Sequence, residues 1–343
     1  MQTTSVFARA LAPLALAFAV ASPTIGAAAD DGFYRGKTLT VVIGSTAGGA
    51  YDWYGRTFAR YIGKYIPGNP TVVAQNMPGA GGVQATRYIY ATAPKDGTAV
   101  GTVNSTLITT SLTKPETMKM KFSDVAWIGA MTHEFRVCYA WYTKPIKNWN
   151  DMAAAKEFVL GATGTGTGSY VNGAILHNLF GIHVRQVLGY AGAAQQRLAV
   201  ERGELDGSCS EWNAIPANWL EGKKINPVVR WSEATPEGFD YPGAPYIGDK
   251  APNAEVRAII ELLNAPGELG NPFIAPKQVP ADRLKILRAA FDKMVRDPAL
   301  KAELAKSRQP LEPTSAAEAE KIVATIYTSA TPDLIAKANS AMQ

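Results

Sequence analysis

Apolar and polar positions along the chain alternate between two rhythms. The run TLTVVI at 38–43 is nearly continuous in apolar and β-branched residues, which predicts a strand buried on both faces. Behind it Tyr54, Phe58, Tyr61, Ile62 and Tyr65 recur at helical spacing, and PGNP at 67–70 stops that helix. The same change of rhythm repeats. Further strands are predicted over 71–75, 98–103, 125–131, 136–142, 158–162, 184–188 and 205–209, and around 227–231. Between them fall a helix ending near 93, one striped by Val171, Ile175 and Leu179, and one over about 192–202. From 254 onward the pattern is mainly helical, interrupted by NPFIAP at 271–276, and it closes with amphipathic helices over 281–306 and 316–330, the latter continuing after Pro332. Strands alternating with helices predict an α/β architecture with largely parallel strands.

The first thirty residues break this pattern. One arginine, Arg9, precedes an apolar, alanine-rich run that ends in AAA at 27–29, the signature of a secretory leader cleaved after Ala29. Arg9 is the only charged residue in 1–29, so losing the leader takes the formal net charge from +5 to +4. A mild excess without a basic run interleaved with aromatics is not a nucleic-acid footprint. The remaining length suits two ordinary domains or one large one. Two cysteines, Cys138 and Cys209, in an exported chain allow one disulfide or two buried thiols.

Two corners share a design. GSTAGGAYD at 44–52 and TGTGTGS at 163–169 each follow a predicted strand and precede a predicted helix. Helix N-termini carry amides without internal partners and the positive end of the dipole, so such a corner accepts a negative group. Glycine allows close approach and the Ser and Thr hydroxyls add donors. The plainer reading is that the glycines only turn the chain and that Asp52 only caps its helix. Facing one another across a cleft, the two corners would hold a small anion.

Other chemistries lack their residues. GTGTGS departs from G-x-G-x-x-G and has no acid at the ribose offset; no Gly-Lys-Ser/Thr ends a phosphate loop. Ser45 stands one place early for a G-x-S-x-G elbow. His133, His177 and His183 have no metal spacing, and no base accompanies Cys209, so neither a metal, a cofactor nor an enzymatic activity is expected.

Taken in order, GG-x-x-D at Gly48–Asp52, Asn76 followed by PGAGG at 78–82, and DGT at 96–98 resemble the substrate-binding proteins of tripartite tricarboxylate transporters, the TctC or Bug family. The likeness extends through 161–210 and from about Phe33 to the C-terminal helices. It implies a type II two-lobed periplasmic binding protein, with lobe 1 formed by 30–134 and 232–343, lobe 2 by 135–231, and a ligand cleft and hinge between them. It also implies a small carboxylate ligand, a di- or tricarboxylate or an aromatic acid, held by the loop after the first strand and by the second-lobe glycine loop. The matching residues are Ser45, Thr46, Ala47, Gly48, Gly49 and Asp52 on one wall, and Thr165, Gly166, Thr167, Gly168, Ser169 and Tyr190 on the other. Asp206 and Trp212 are expected at the mouth, or else as an ordinary strand-end acid and a packed aromatic. Membrane permease subunits would be the partners of a monomer; a sensor subunit that presents ligand to a receptor, or a secreted enzyme acting on acids, are the alternatives. The chain departs from the family pattern at Gly44-Ser45-Thr46, at Ala191 and at 241–246, which bears on which acid is bound.

Overall fold

The computed structural model describes residues 1–2, 32–162, 164, 167–190, 192–236 and 238–343. Most of the expected leader, together with Thr165, Gly166 and Ala191, therefore lies outside the described residues. Among the described residues no helix is long and apolar enough to cross a membrane.

Two sheets organise the chain. The first contains β1 (Thr38–Ile43), β2 (Thr71–Asn76), β3 (Ala99–Thr102), β4 (Val125–Thr132), and two late strands, β10 (Gly270–Pro276) and β11 (Thr314–Ser315). The second contains β5 (Arg136–Trp141), β6 (Phe158–Gly161), β7 (Val184–Val187), β8 (Gly207–Glu211) and β9 (Ile225–Arg230). Spatial orders are β11-β4-β10-β3-β1-β2 and β7-β6-β8-β5-β9. The chain enters the second sheet between β4 and β5 and leaves it after β9, the double crossing of a two-lobed α/β binding fold.

Helices cover the sheets: α1 (Ala50–Ile62), α2 (Val83–Ala91), α3 (Leu107–Thr113), α4 (Pro115–Met118), α5 (Trp149–Ala154), α6 (Gly168–Phe180), α7 (Ala193–Glu201) and α8 (Ala217–Glu221). The C-terminal set is α9 (Ala254–Asn264), α10 (Ala281–Met294), α11 (Pro298–Lys306), α12 (Ala316–Ser329) and α13 (Pro332–Ala341). The nearly continuous apolar run of β1 follows from burial on both faces: Leu39, Val41 and Ile43 join a core with Phe58, Phe273 and Phe291, while Val42 packs on the opposite side with Ala85 and Ile89.

Three expectations need correction. The sheets are mixed, not largely parallel: β1 pairs parallel with β2 and β3, and β6 with β7 and β8, but β4 with β10 and β5 with β8 and β9 run antiparallel. The interruption at 271–276 is itself a central strand. Its prolines, Pro272 and Pro276, speak against a strand in sequence because proline cannot donate to a ladder. In the fold β10 pairs with β3 only at Phe273 and Ile274, between those prolines, and shifts register against β4 at that point. The helix expected over 281–306 is two, because Asp297 accepts from the Ala299 amide as an N-cap and Pro298 opens a new helix.

Cys138 and Cys209 face one another on β5 and β8 and are joined as a disulfide, which decides between the two readings left by sequence.

Candidate functional site

β1, β2 and β3 are parallel, so their C-terminal ends lie on one edge and deliver three loops to one place. Ile43 registers with both Asn76 and Thr102. Open α/β sheets bind ligands at such an edge. The Met77 amide donates to the Ile43 carbonyl at 2.8 Å and the Gly44 amide to Thr102 at 3.0 Å, which ties the loops together. Gly44 and Gly82 touch: a Cβ on Gly82, at φ +100°, would lie 3.3 Å from the Gly44 carbonyl. The glycine of PGAGG is therefore required by close approach and by its left-handed backbone.

Asp52 and Asn76 shape this corner from beneath. One Asp52 carboxylate oxygen accepts from the Gly48 amide at 3.0 Å; the other accepts from Asn76 at 2.8 Å and Arg56 at 2.9 Å. Asn76 also donates to the Ser45 carbonyl at 2.9 Å. Burial alone would raise the Asp52 pKa, but the Gly48 amide, Asn76 and Arg56 outweigh it and hold the carboxyl below its ordinary value.

The second sheet offers the mirror arrangement. β6 runs into the glycine loop and then α6, whose N-cap, Thr167, is extended and has its hydroxyl committed to the Gly164 carbonyl at 2.7 Å. The first turn of α6 therefore has no side-chain cap among the described residues and presents open amides.

Between these edges lies a cavity of about 760 Å³. Ser45, Thr46, Thr167 and Gly168, all expected ligand contacts, line it together from opposite lobes. The other expected contacts that the structure describes do not. Ala47, Gly48 and Gly49 are exposed, and the Gly48 amide is already taken by Asp52. Asp52 faces its own loop. Ser169, one residue into the helix, lies 3.3 Å from the Thr167 hydroxyl and outside the lining. Tyr190 packs over Gly161 within the lobe-2 aromatic core. Asp206 accepts from the Val159 amide and pairs with Lys144 at 2.8 Å. Trp212 packs against Phe135, Phe239 and Tyr241.

In their place the fold brings residues that sequence reasoning passed over. Tyr51, Asn104, Thr106, Thr109, Lys114, Arg136 and Asn172 all line the cavity. The hydroxyls of Ser45 and Thr109 and the amide nitrogen of Asn172 are buried without a hydrogen-bond partner among the described residues. Buried polar groups ordinarily find partners, so these three unpaired atoms are exceptions among the residues of the cavity lining.

A charged cluster underlies the cavity at the crossing between sheets. Glu134, 7% exposed, accepts from Tyr51 at 2.7 Å and Ser105 at 2.6 Å, and its second oxygen pairs with Arg136. Burial, reinforced by Glu134, pushes the Tyr51 phenol up, so it stays a donor. Burial would lower Arg136, but Glu134 and Glu211 overcome it and raise the guanidinium further. Burial and the Glu134 charge push Glu211 up to about 7 against the pull of Arg136. The sequence signal available was Glu134 and Arg136 flanking Phe135 where the chain passes from β4 to β5. Among the described residues no group of His, Cys, Asp and Glu has the makings of a metal centre.

Two mixed sheets joined by a double crossing, with a cavity between their edges, define a two-lobed binding-protein fold. Solved structures narrow it. The chain is similar to a TctC solute-binding protein from Polaromonas, at 20% identity and a TM-score of 0.63, covering 86% of this chain and 96% of that one. MatC from Rhodopseudomonas palustris, with bound malate, matches at 19% identity and a TM-score of 0.64 over 90% of this chain and 99% of its own. A second R. palustris protein, with adipate, matches at 16% identity and a TM-score of 0.66 over 88% and 97%. The fold expected from the TctC and Bug resemblance is thus the fold observed. No family model matches the sequence, and no curated protein does.

Proposed function

We propose that the protein is an exported solute-binding protein that closes on a small carboxylate and delivers it to membrane permease subunits, without transforming it. One observation carries this reading. The open N-terminus of α6, the Arg136 guanidinium and the unpartnered donors of Ser45, Thr109 and Asn172 converge on one cavity between two lobes. Helix-end amides, hydroxyls and a guanidinium around one cleft suit an oxyanion, and charge-assisted bonds contribute about 1.5–3 kcal/mol each. The malate and adipate of the similarly folded proteins belong to the same chemistry. The hinge would lie at the two crossings, near 134 and 231, and Glu134 and Arg136 would sense its position.

Calorimetric titration of the purified protein with malate and adipate tests the reading. Expected is micromolar binding of at least one, worth about 8 kcal/mol, with the acid recovered unchanged. Absence of heat with every short mono- and diacid tried, or conversion of the acid to product, overturns it. Fractionation of cells expressing the full chain should place the processed protein in the periplasm; retention in the cytoplasm would contradict export.

A further inference from the structure

Arg136 has two carboxylates within reach and pairs with one of them. Arg136 and Glu211 stand directly opposite one another on β5 and β8, and antiparallel partners of that kind share a face of the sheet with Cβ atoms about 4.5–5.5 Å apart. The guanidinium turns instead to Glu134, two residues back along the chain. Glu134 is fully provided for as an anion: one oxygen accepts from Tyr51 and Ser105, and the other pairs with Arg136. Glu211, partly buried, keeps neither a side-chain hydrogen bond nor an ion pair among the described residues.

The groups that face Glu211 come from both sheets. From α1 it meets the Tyr51 and Tyr54 phenols, from the crossing Glu134 and from β5 Arg136, while Glu312 acts on Tyr54 from the segment before β11. Burial and the acidic neighbours push both phenols up, so neither is charged near neutral pH, and Arg136 stays cationic. With Glu134 and Arg136 cancelling, an ionised Glu211 leaves the cluster with one net negative charge. That charge lies beside the cavity, because Arg136 also lines it, its guanidinium carbon 3.8 Å from where a Cβ on Gly168 would stand at the start of α6.

A carboxylate arriving at the Arg136 wall adds a second negative charge to the cluster. Like charges in one site disfavour ionisation together, and the member without a hydrogen bond or ion pair gives way. Closure works in the same direction: β8 belongs to the second sheet and α1 covers the first, so bringing the lobes together takes Glu211 further from water. Burial and Glu134 already hold its carboxyl at about 7, where a modest change in surroundings decides its charge.

Resting on the carboxylate reading above, we infer that Glu211 is a proton switch for the cleft: one of its oxygens takes a proton from solvent as an anionic ligand settles beside Arg136, and returns it on release. No bond of the ligand changes. The protein therefore loads more tightly in mildly acidic surroundings and unloads as they turn mildly alkaline.

Calorimetry on the full mature chain with malate and with adipate, each in two buffers of different ionisation enthalpy, counts the protons. At pH 7.5–8 the expected uptake is about half to one proton per ligand bound; ordinary carboxyls titrate about three units lower, so the acids themselves contribute none. Between pH 6 and 8.5 wild-type affinity falls about tenfold, the effect of a carboxyl whose pKa rises by about one unit on binding. In Glu211→Gln, which keeps the shape and removes the charge, affinity stays within about twofold over that range and at pH 8.5 exceeds the wild type by about tenfold. Should that variant not fold, infrared difference spectra of the wild type with acid labelled with carbon-13 at its carboxyls read the same event, as a new protonated-carboxyl band from the protein that no histidine produces. Binding without proton uptake, no such band, or parallel pH profiles in wild type and variant overturn the switch and leave the carboxylate reading standing. Absence of heat with every short mono- and diacid at either pH removes both.

Discussion

Asp52, expected among the ligand contacts, holds the loop whose Ser45 and Thr46 line the cavity. Its carboxylate receives the Gly48 amide, Asn76 and Arg56, so replacing it frees the corner at 45–48 while leaving the lining residues in the chain. Asp52→Ala should cost about 1–2 kcal/mol, as loss of a helix-start acceptor does, and should weaken acid binding without abolishing it. Denaturant melts and calorimetry check both; unchanged stability would mean that the loop holds itself. Because the folded pKa is lowered, the stability Asp52 supplies is present above the unfolded value near 3.8 and is lost as pH falls through the folded one. Glu211 has the opposite sign. Its folded pKa of about 7 exceeds the ordinary 4.5, so its contribution is complete below about pH 4.5 and is lost as pH rises through 7. Between pH 4.5 and 8 the melting temperature of the wild type should therefore fall relative to Glu211→Gln. Parallel curves for the two proteins would show that Glu211 titrates normally.

Elements differ in how openly the sequence declares them. β1 and α1 are legible because burial on two faces leaves a nearly continuous apolar run and an amphipathic helix shows its stripe. The two glycine corners are legible as corners, and Ser45, Thr46, Thr167 and Gly168 do meet at one cavity. β10 is hidden because its prolines obey a rule that holds for regular ladders, and β10 escapes it through a local register shift. Asn172 and Thr109 are hidden for a different reason: nothing in the residue pattern of their helices marks them out, and only the fold shows that their neighbours leave an amide nitrogen and a hydroxyl unpaired among the described residues. The disulfide is an element-scale feature too. It locks β5 to β8 at directly opposed positions next to the buried Trp231, whose indole donates toward Cys138. Replacing both cysteines by alanine should lower stability by about 2–4 kcal/mol, read as a lowered denaturant midpoint, with carboxylate affinity kept because the pair lies outside the cavity lining. An unchanged midpoint would show that the sheet needs no bridge.

At the scale of the molecule the lobes meet through polar contacts on both sides of the cleft. On one side Tyr170 donates to the Gln343 carbonyl at 2.9 Å and Asn178 to the Ala341 carbonyl at 3.1 Å, joining α6 to the end of α13, where Met342 also lines the cavity. On the other, Arg308 meets Glu221 at 3.0 Å and Asn213 meets Gln309 at 3.3 Å. The Arg308 pair is well exposed and contributes little. The α6 contacts matter more, because they position the helix whose N-terminus lines the cavity. A ligand that prefers the closed arrangement has to supply whatever closure the protein does not, and apparent affinity falls with the closed fraction. The Tyr170→Phe, Asn178→Ala double variant removes two neutral hydrogen bonds of about 0.5–1.5 kcal/mol each. Its ligand-free form should be more open, seen as a larger radius of gyration in solution scattering. Its affinity for whichever acid binds the wild type should fall several-fold, through faster dissociation. On saturation both proteins should reach the same compact radius, since the ligand contacts are untouched. If the variant scatters and binds as the wild type does, α13 is a passive wall and closure is governed at the Glu134 and Arg136 crossing alone.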